Sequence, residues 1–188
     1  MPQPVYLLYR SAVRHTDTHS HTSTFGTTRM ALSEWTHIFQ NAAENLLHGD
    51  SWDLEFDSSI VPEQPQYGWQ QYIRNTSARF ECTDCPRGWP SNRVMVVFHM
   101  CLKDGKGIVK VRRFRQNCKN CIAAPMVDPS IPPENIIILM RNLVKKIRIK
   151  CYYEKLDQGH YNHHKIDVKS PHEPEHCEGC INGVCTRD

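Results

Sequence analysis

The chain of 188 residues carries 23 Lys and Arg against 20 Asp and Glu, with nine cysteines, 12 prolines and 39% apolar residues. That apolar share is below the roughly 45–50% of ordinary soluble domains, so a thin hydrophobic core is expected. The apolar runs Val5–Tyr9 and Ile136–Met140 fall short of a secretory leader or a bilayer span of roughly 20 residues, which reads as a soluble chain facing a reducing compartment.

Residues 1–29 are rich in Thr, Ser and His, lack periodicity, and read as a disordered extension in which His15, His19 and His21 are solvated. A different texture starts at Met30. Leu32, Trp35, Ile38, Phe39, Ala42, Leu46 and Leu47 recur at helical spacing, Ser33 can cap the start and Gly49 follows the end, so a helix is expected over 32–48. Its expected role is packing on the rest of the domain. Residues 51–67 are acidic and Pro-containing and read as an extended connector, making 30–66 one helix plus a connector. Trp69–Arg74 reads as a short strand, and Ala78–Glu81 leads into the first cysteines.

Cys82-Thr83-Asp84-Cys85 and Cys118-Lys119-Asn120-Cys121 flank two β-branched and aromatic runs, Arg93–Leu102 and Ile108–Phe114, joined by a Gly-containing turn at Lys103–Gly107. Folding the chain at Gly105 lays Asn92 near Cys118 and brings both pairs to the open end of one hairpin. Two thiolates three residues apart grip one tetrahedral ion, so four converging thiolates point to zinc. Redox and disulfide use are the competing readings. A redox motif appears once, at a helix start, whereas here Cys-x-x-Cys appears three times. A structural zinc contributes roughly 10–16 kcal/mol in small finger peptides, enough to offset a scant core. Four-cysteine sites are closed, so catalysis is not expected.

Ala123–Pro133 reads as a loop. Pro132, Pro133 and Glu134 suit a helix start, and Ile136, Ile137, Met140, Leu143, Val144 and Ile147 recur at helical spacing, giving a second helix over 133–150. A His-rich connector, residues 158–176, leads to the third pair, Cys177 and Cys180. Completing a second site needs two more ligands; Cys185 is the nearest thiol, and His164 or its neighbour His163 is the choice for the fourth. Alternatively Cys177 and Cys180 complete the first site and an earlier pair goes elsewhere. One or two zinc ions follow accordingly. Cys101 reads as a small buried hydrophobe, and Cys151 is given no role.

Residues 103–150 hold twelve Lys or Arg and three Asp or Glu. Lys110, Arg112, Arg113 and Arg115 on the second strand, with Lys145 and Lys146 on the helix, form a candidate footprint for RNA phosphates or acidic partners. Phe98 and Phe114 are the strand aromatics available to stack on bases. The competing reading is a solvated strand face and a dipole-matched helix end.

Taken together, Phe80-Glu81-Cys82-x-x-Cys85, Trp89-x-Ser91, a Val-rich strand, a Gly turn, Cys118-x-x-Cys121 and Cys177-Glu178-x-Cys180 resemble the 3CxxC zinc-finger domain, and more narrowly the receptor-transporting protein family, over roughly 30–185. The resemblance implies an accessory protein, cytoplasmic or at the cytosolic face of the endoplasmic reticulum or plasma membrane, that helps seven-helix odorant or taste-type receptors reach the surface. The alternative it implies is a soluble, interferon-type antiviral effector that binds RNA. No small-molecule substrate is implied. Receptor-directed members carry a hydrophobic anchor after the zinc domain, so membrane contact is expected only through a partner or through an anchor beyond this chain. The expected fold is α+β: a zinc-binding domain over 67–185 with an antiparallel sheet centred on 93–116, flanking helices, and a tail at 186–188.

Overall fold

The structure, a computed structural model, describes residues 22–44, 46, 49–156 and 173–185. It is α+β, with a four-stranded sheet. The strands are β1 (Ser51–Phe56), β2 (Gln70–Glu81), β3 (Gly88–Lys103) and β4 (Lys106–Arg113), in spatial order β1-β4-β3-β2. Two long helices, α1 (Thr22–Ala43) and α2 (Pro133–Lys150), and a short one, α3 (Glu178–Ile181), complete it.

The centre of the sheet is β3, buried without a break from Val94 to Met100. Its alternate residues face two different cores. Val94, Val96, Phe98 and Met100 pack under α1 and α2 with Trp35, Phe39, Ile136, Met140 and Leu143. Met95 and Val97 face a smaller cluster holding Ile60, Phe114, Val184, Cys177 and Cys185. The period-2 rule therefore sends one strand's apolar run to both sides at once.

The expected hairpin is present. Lys103 pairs with Lys106 across Asp104-Gly105, whose φ angles of 51° and 75° are both left-handed, as a two-residue type I′ turn requires. β2 is one twelve-residue strand rather than two short pieces, with a bulge between Thr76 and Ala78. The freed Ser77 carbonyl accepts a bond from the Asn135 amide of α2.

The segment expected as a connector begins with β1. Trp52 and Leu54 are buried while Ser51, Asp53 and Glu55 are exposed, a clean alternation inside an acidic stretch. β1 runs parallel to β4, so the sheet is mixed and not purely antiparallel. The chain leaving α1 enters the sheet at the hairpin end, where Ser51 N–H bonds the Gly105 carbonyl, and is therefore aimed the same way as β4. Trp52 lies flat on Gly107, where a Cβ would meet its ring at 2.1 Å.

The first helix starts at Thr22, inside the stretch expected to be disordered, and ends at Ala43, before Leu47. Once Trp35 and Phe39 are buried, adding residues upstream costs no new nucleus. Leu46 is still buried, but from the turn that follows. α2 has the expected bounds with Pro133 in its first turn; Leu139 takes the inward place expected of Ile137, which is exposed. No helix among the described residues is long and apolar enough to cross a membrane.

Candidate metal centre

Cys82 directly follows β2, and Cys85 sits in the tight turn to β3 that the Cys82 N–H closes on the Arg87 carbonyl. Cys118 and Cys121 follow β4. Trp89 and Ser91, on the first residues of β3, fix where that second pair lands. Trp89 Nε1 donates to Gln116 Oε1 at 2.8 Å, and Gln116 Nε2 donates to Ser91 Oγ at 3.1 Å, two residues before Cys118. Phe80 stacks on Trp89 beneath them, centroids 5.6 Å apart.

The four sulfurs lie within 4.8 Å of one another, with Cys82–Cys121 and Cys85–Cys118 each at 3.9 Å. Four thiolates about 2.3 Å from a tetrahedral zinc are themselves about 3.8 Å apart. A disulfide needs about 2.05 Å. All nine cysteines are free thiols.

The electrostatics of the set also fit a cation. Burial pushes the Cys118 thiol up, but the Asn120 N–H and the Arg87 guanidinium, 3.7 Å from its sulfur, outweigh it and hold the group at about 6. Cys121 is pushed up to about 12 by its contact with Cys85 and by burial. Without a positive ion the thiols cannot all ionise together; a divalent metal removes that conflict. Arg87 and the Asp84 N–H, 3.3 Å from Cys82 Sγ, are outer donors that nothing in the motif spacing announces.

Cys177, Cys180 and Cys185 form a second, separate group, with all three sulfurs inside 4.8 Å and Cys177–Cys185 at 3.9 Å. They do not complete the first set. Cys177 and Cys185 are buried, and contact with Cys177 followed by burial raises the Cys185 thiol. Gly179 is required here, since a Cβ would lie 2.7 Å from Cys185 Sγ. Among the described residues three thiols make up this set. His164 and His163 lie outside the described residues.

Glu178, between the two cysteines of that pair, locks the group to the sheet. Its carboxylate accepts from Arg112 Nη2 at 2.9 Å, from Arg115 Nε and Nη2 at 3.1 Å each, and from the Arg115 N–H at 2.9 Å. This changes the reading of the basic strand. Arg112 and Arg115 face Glu178, Arg113 is buried against Asp128 and the Phe56 ring, and Lys110 bonds Asp57 at 2.9 Å. They hold carboxylates of this same chain and do not form an open cationic stripe. Phe98 and Phe114, at 0% and 2% exposure, present no ring for base stacking. Lys145 is exposed on α2, and Lys146 lies over the Tyr72 ring. Cys101 is half-buried rather than fully buried.

Residues 75–183, more than half of the chain, match the 3CxxC zinc-ribbon family, a zinc-binding domain. Curated relatives include receptor-transporting protein 3 of Mus musculus, 36% identical over 82% of this chain and 34% of its own length. Receptor-transporting protein 2 of Mus musculus is 34% identical over 84% of this chain and 72% of its own length. Receptor-transporting protein 1 of Homo sapiens is 35% identical over 82% and 60% respectively. The chain thus spans between a third and three quarters of these relatives. No solved structure matches it. The triple Cys-x-x-Cys pattern, the four-sulfur centre at the sheet end and these identities place the chain in the receptor-transporting protein family.

Proposed function

We propose that this protein is a zinc-stabilised binding module that assists seven-helix receptors on their way to the cell surface. The observation that carries the reading is the sulfur quartet Cys82, Cys85, Cys118 and Cys121, set at zinc spacing within a family of receptor-transporting proteins. The zinc is structural. It would tie the β2–β3 turn to the strand end after β4 and make the sheet a rigid platform for receptor segments. A second zinc would sit on Cys177, Cys180 and Cys185 with a fourth ligand from outside the described residues. With a closed coordination sphere the module acts by binding, without catalysis. Its place of action would be the cytosolic face of the endoplasmic reticulum or plasma membrane.

The RNA-effector reading has less support, because the strand cations it would use are paired with Asp57, Asp128 and Glu178. The test is co-expression with an odorant- or taste-type seven-helix receptor, reading surface receptor by flow cytometry. A rise that disappears with Cys82→Ser plus Cys118→Ser supports the proposal. An unchanged surface level with the native chain, beside steep salt-dependent binding of single-stranded RNA, would replace it with the effector reading.

A further inference from the structure

The two edges of the sheet are treated differently. The outer edge of β2 is covered: Arg79 and Ser130 exchange backbone bonds of 2.9 and 2.8 Å, Lys150 Nζ caps the Gln71 carbonyl, and Asn135 caps that of Ser77. Among the described residues nothing bonds the outer edge of β1 beyond its first residues. Ser51 and Asp57 bond inward to β4, so the odd-numbered residues face that strand and Trp52, Leu54 and Phe56 turn their backbone groups outward. The Trp52 carbonyl takes the Gln40 amide. Leu54 and Phe56 carry outward backbone groups with no partner among the described residues.

Charge says what fits there. Residues 30–73 contain seven Asp or Glu and not one Lys or Arg. Asp53 and Glu55 stand exposed on one side of β1, with Asp50 and Asp57 at its ends. Lys110 reaches across to Asp57 and, at 3.6 Å, to Glu55, and Lys106 pairs beside Ser51; Asp53 is exposed to solvent. Unpaired edges invite a further strand, and side chains opposite one another on neighbouring strands discriminate by charge. A second copy of β1 would set acid against acid.

We propose that the open edge of β1 accepts an extended basic peptide as a fifth strand. Backbone groups of Leu54 and Phe56 supply the hydrogen bonds. Lys or Arg at alternate positions meet Asp53 and Glu55, and the residues between them are apolar, lying beside half-buried Phe56. This rests on the trafficking reading only for the identity of the partner, a basic receptor segment; the surface itself is tested without any receptor.

The probe is a fluorescein-labelled eight-residue peptide alternating Lys and Val, titrated into the full, zinc-loaded chain by polarisation, with amide hydrogen exchange read over residues 51–57. Binding is expected together with slowed exchange at Leu54 and Phe56. The double variant Asp53→Lys, Glu55→Gln should weaken binding by about tenfold, and a peptide N-methylated at alternate residues should lose a similar factor. A Glu-Val peptide should not bind. Equal affinity for the N-methylated peptide, unchanged exchange at Leu54 and Phe56, or no binding of the Lys-Val peptide at low salt would each overturn the proposal. A surface-expression assay that fails while the peptide binds would instead remove the trafficking reading and leave the edge site standing.

Discussion

Replacing Glu178 by Gln keeps the shape of the side chain and removes its charge. Two guanidinium groups and one backbone N–H converge on this carboxylate. Burial works to raise its pKa, yet the bonds from Arg115 and then Arg112 outweigh burial and hold the group at about 2, against an ordinary 4.5. A depression of that size corresponds to about 3 kcal/mol. The contribution is complete above 4.5 and is lost as pH falls towards 2, so neutral pH shows all of it. Breaking one side of a buried pair gives a comparable 3–5 kcal/mol by an independent route, roughly. Arg115 is 42% exposed and its side-chain bonds are screened by water, so about 3 kcal/mol is an upper figure for the clamp. For a chain of this length about 3 kcal/mol lowers Tm by about 6–12 °C. The assay is thermal unfolding at pH 7 in saturating zinc, with bound zinc counted by mass spectrometry on the same sample. A Tm within about 1 °C of the native chain, with the zinc count unchanged, would show that the Arg112–Glu178–Arg115 clamp does not hold the third cysteine pair on the sheet.

Gly107→Ala should lower Tm by at least about 4 °C, since the new Cβ lands 2.1 Å from a Trp52 ring whose Nε1 is held by Tyr152. An unshifted melt would mean that Trp52 does not lie on the strand. Native mass spectrometry should count two zinc ions, with Cys82→Ser and Cys177→Ser each removing one; a single ion abolished by either variant would contradict two separate centres. A strong chelator should collapse the near-ultraviolet circular dichroism of Trp89, which stands beside the first quartet, and retention of that signal would show that the sheet end folds without metal.

Local features were legible in the sequence. Pro133 and the i, i+3, i+4 spacing from Ile136 to Ile147 define α2, and Asp104-Gly105 between two β-branched runs defines the hairpin. The three Cys-x-x-Cys pairs mark where the sulfurs gather, because a knuckle is a four-residue object. What escaped depends on residues far apart in the chain. β1 alternates over only five residues, Trp52-Asp53-Leu54-Glu55-Phe56, and its acids mimic a loop; the parallel pairing that makes it a strand comes from β4, some fifty residues later. The basic strand reads as a nucleic-acid surface until Glu178, 66 residues beyond Arg112, is known to sit against it. Composition counts charges and cannot see which of them already face a partner.

The stretch 115–118 shows how the two sulfur groups depend on one frame. Arg115 holds Glu178 through backbone and side chain. Gln116 bridges Val127 and Cys177 by its backbone while its side chain takes Trp89 and Ser91. Asn117 N–H bonds the His176 carbonyl, and its Oδ1 meets the His176 ring. Cys118 follows at 1% exposure. Its backbone neighbours also make contacts that involve no metal, and the third cysteine group docks onto three of these residues, Arg115, Gln116 and Asn117. Cys121, half-buried at the tip of its knuckle, stands outside that frame. A zinc ion at the first centre would close the knuckle tips onto Cys118, while docking of Cys177–Cys185 through Glu178 helps to set Cys118 in place. Loss of the Glu178 clamp should for that reason weaken metal retention at both centres, the one it adjoins and the one it reaches through Arg115 to Cys118.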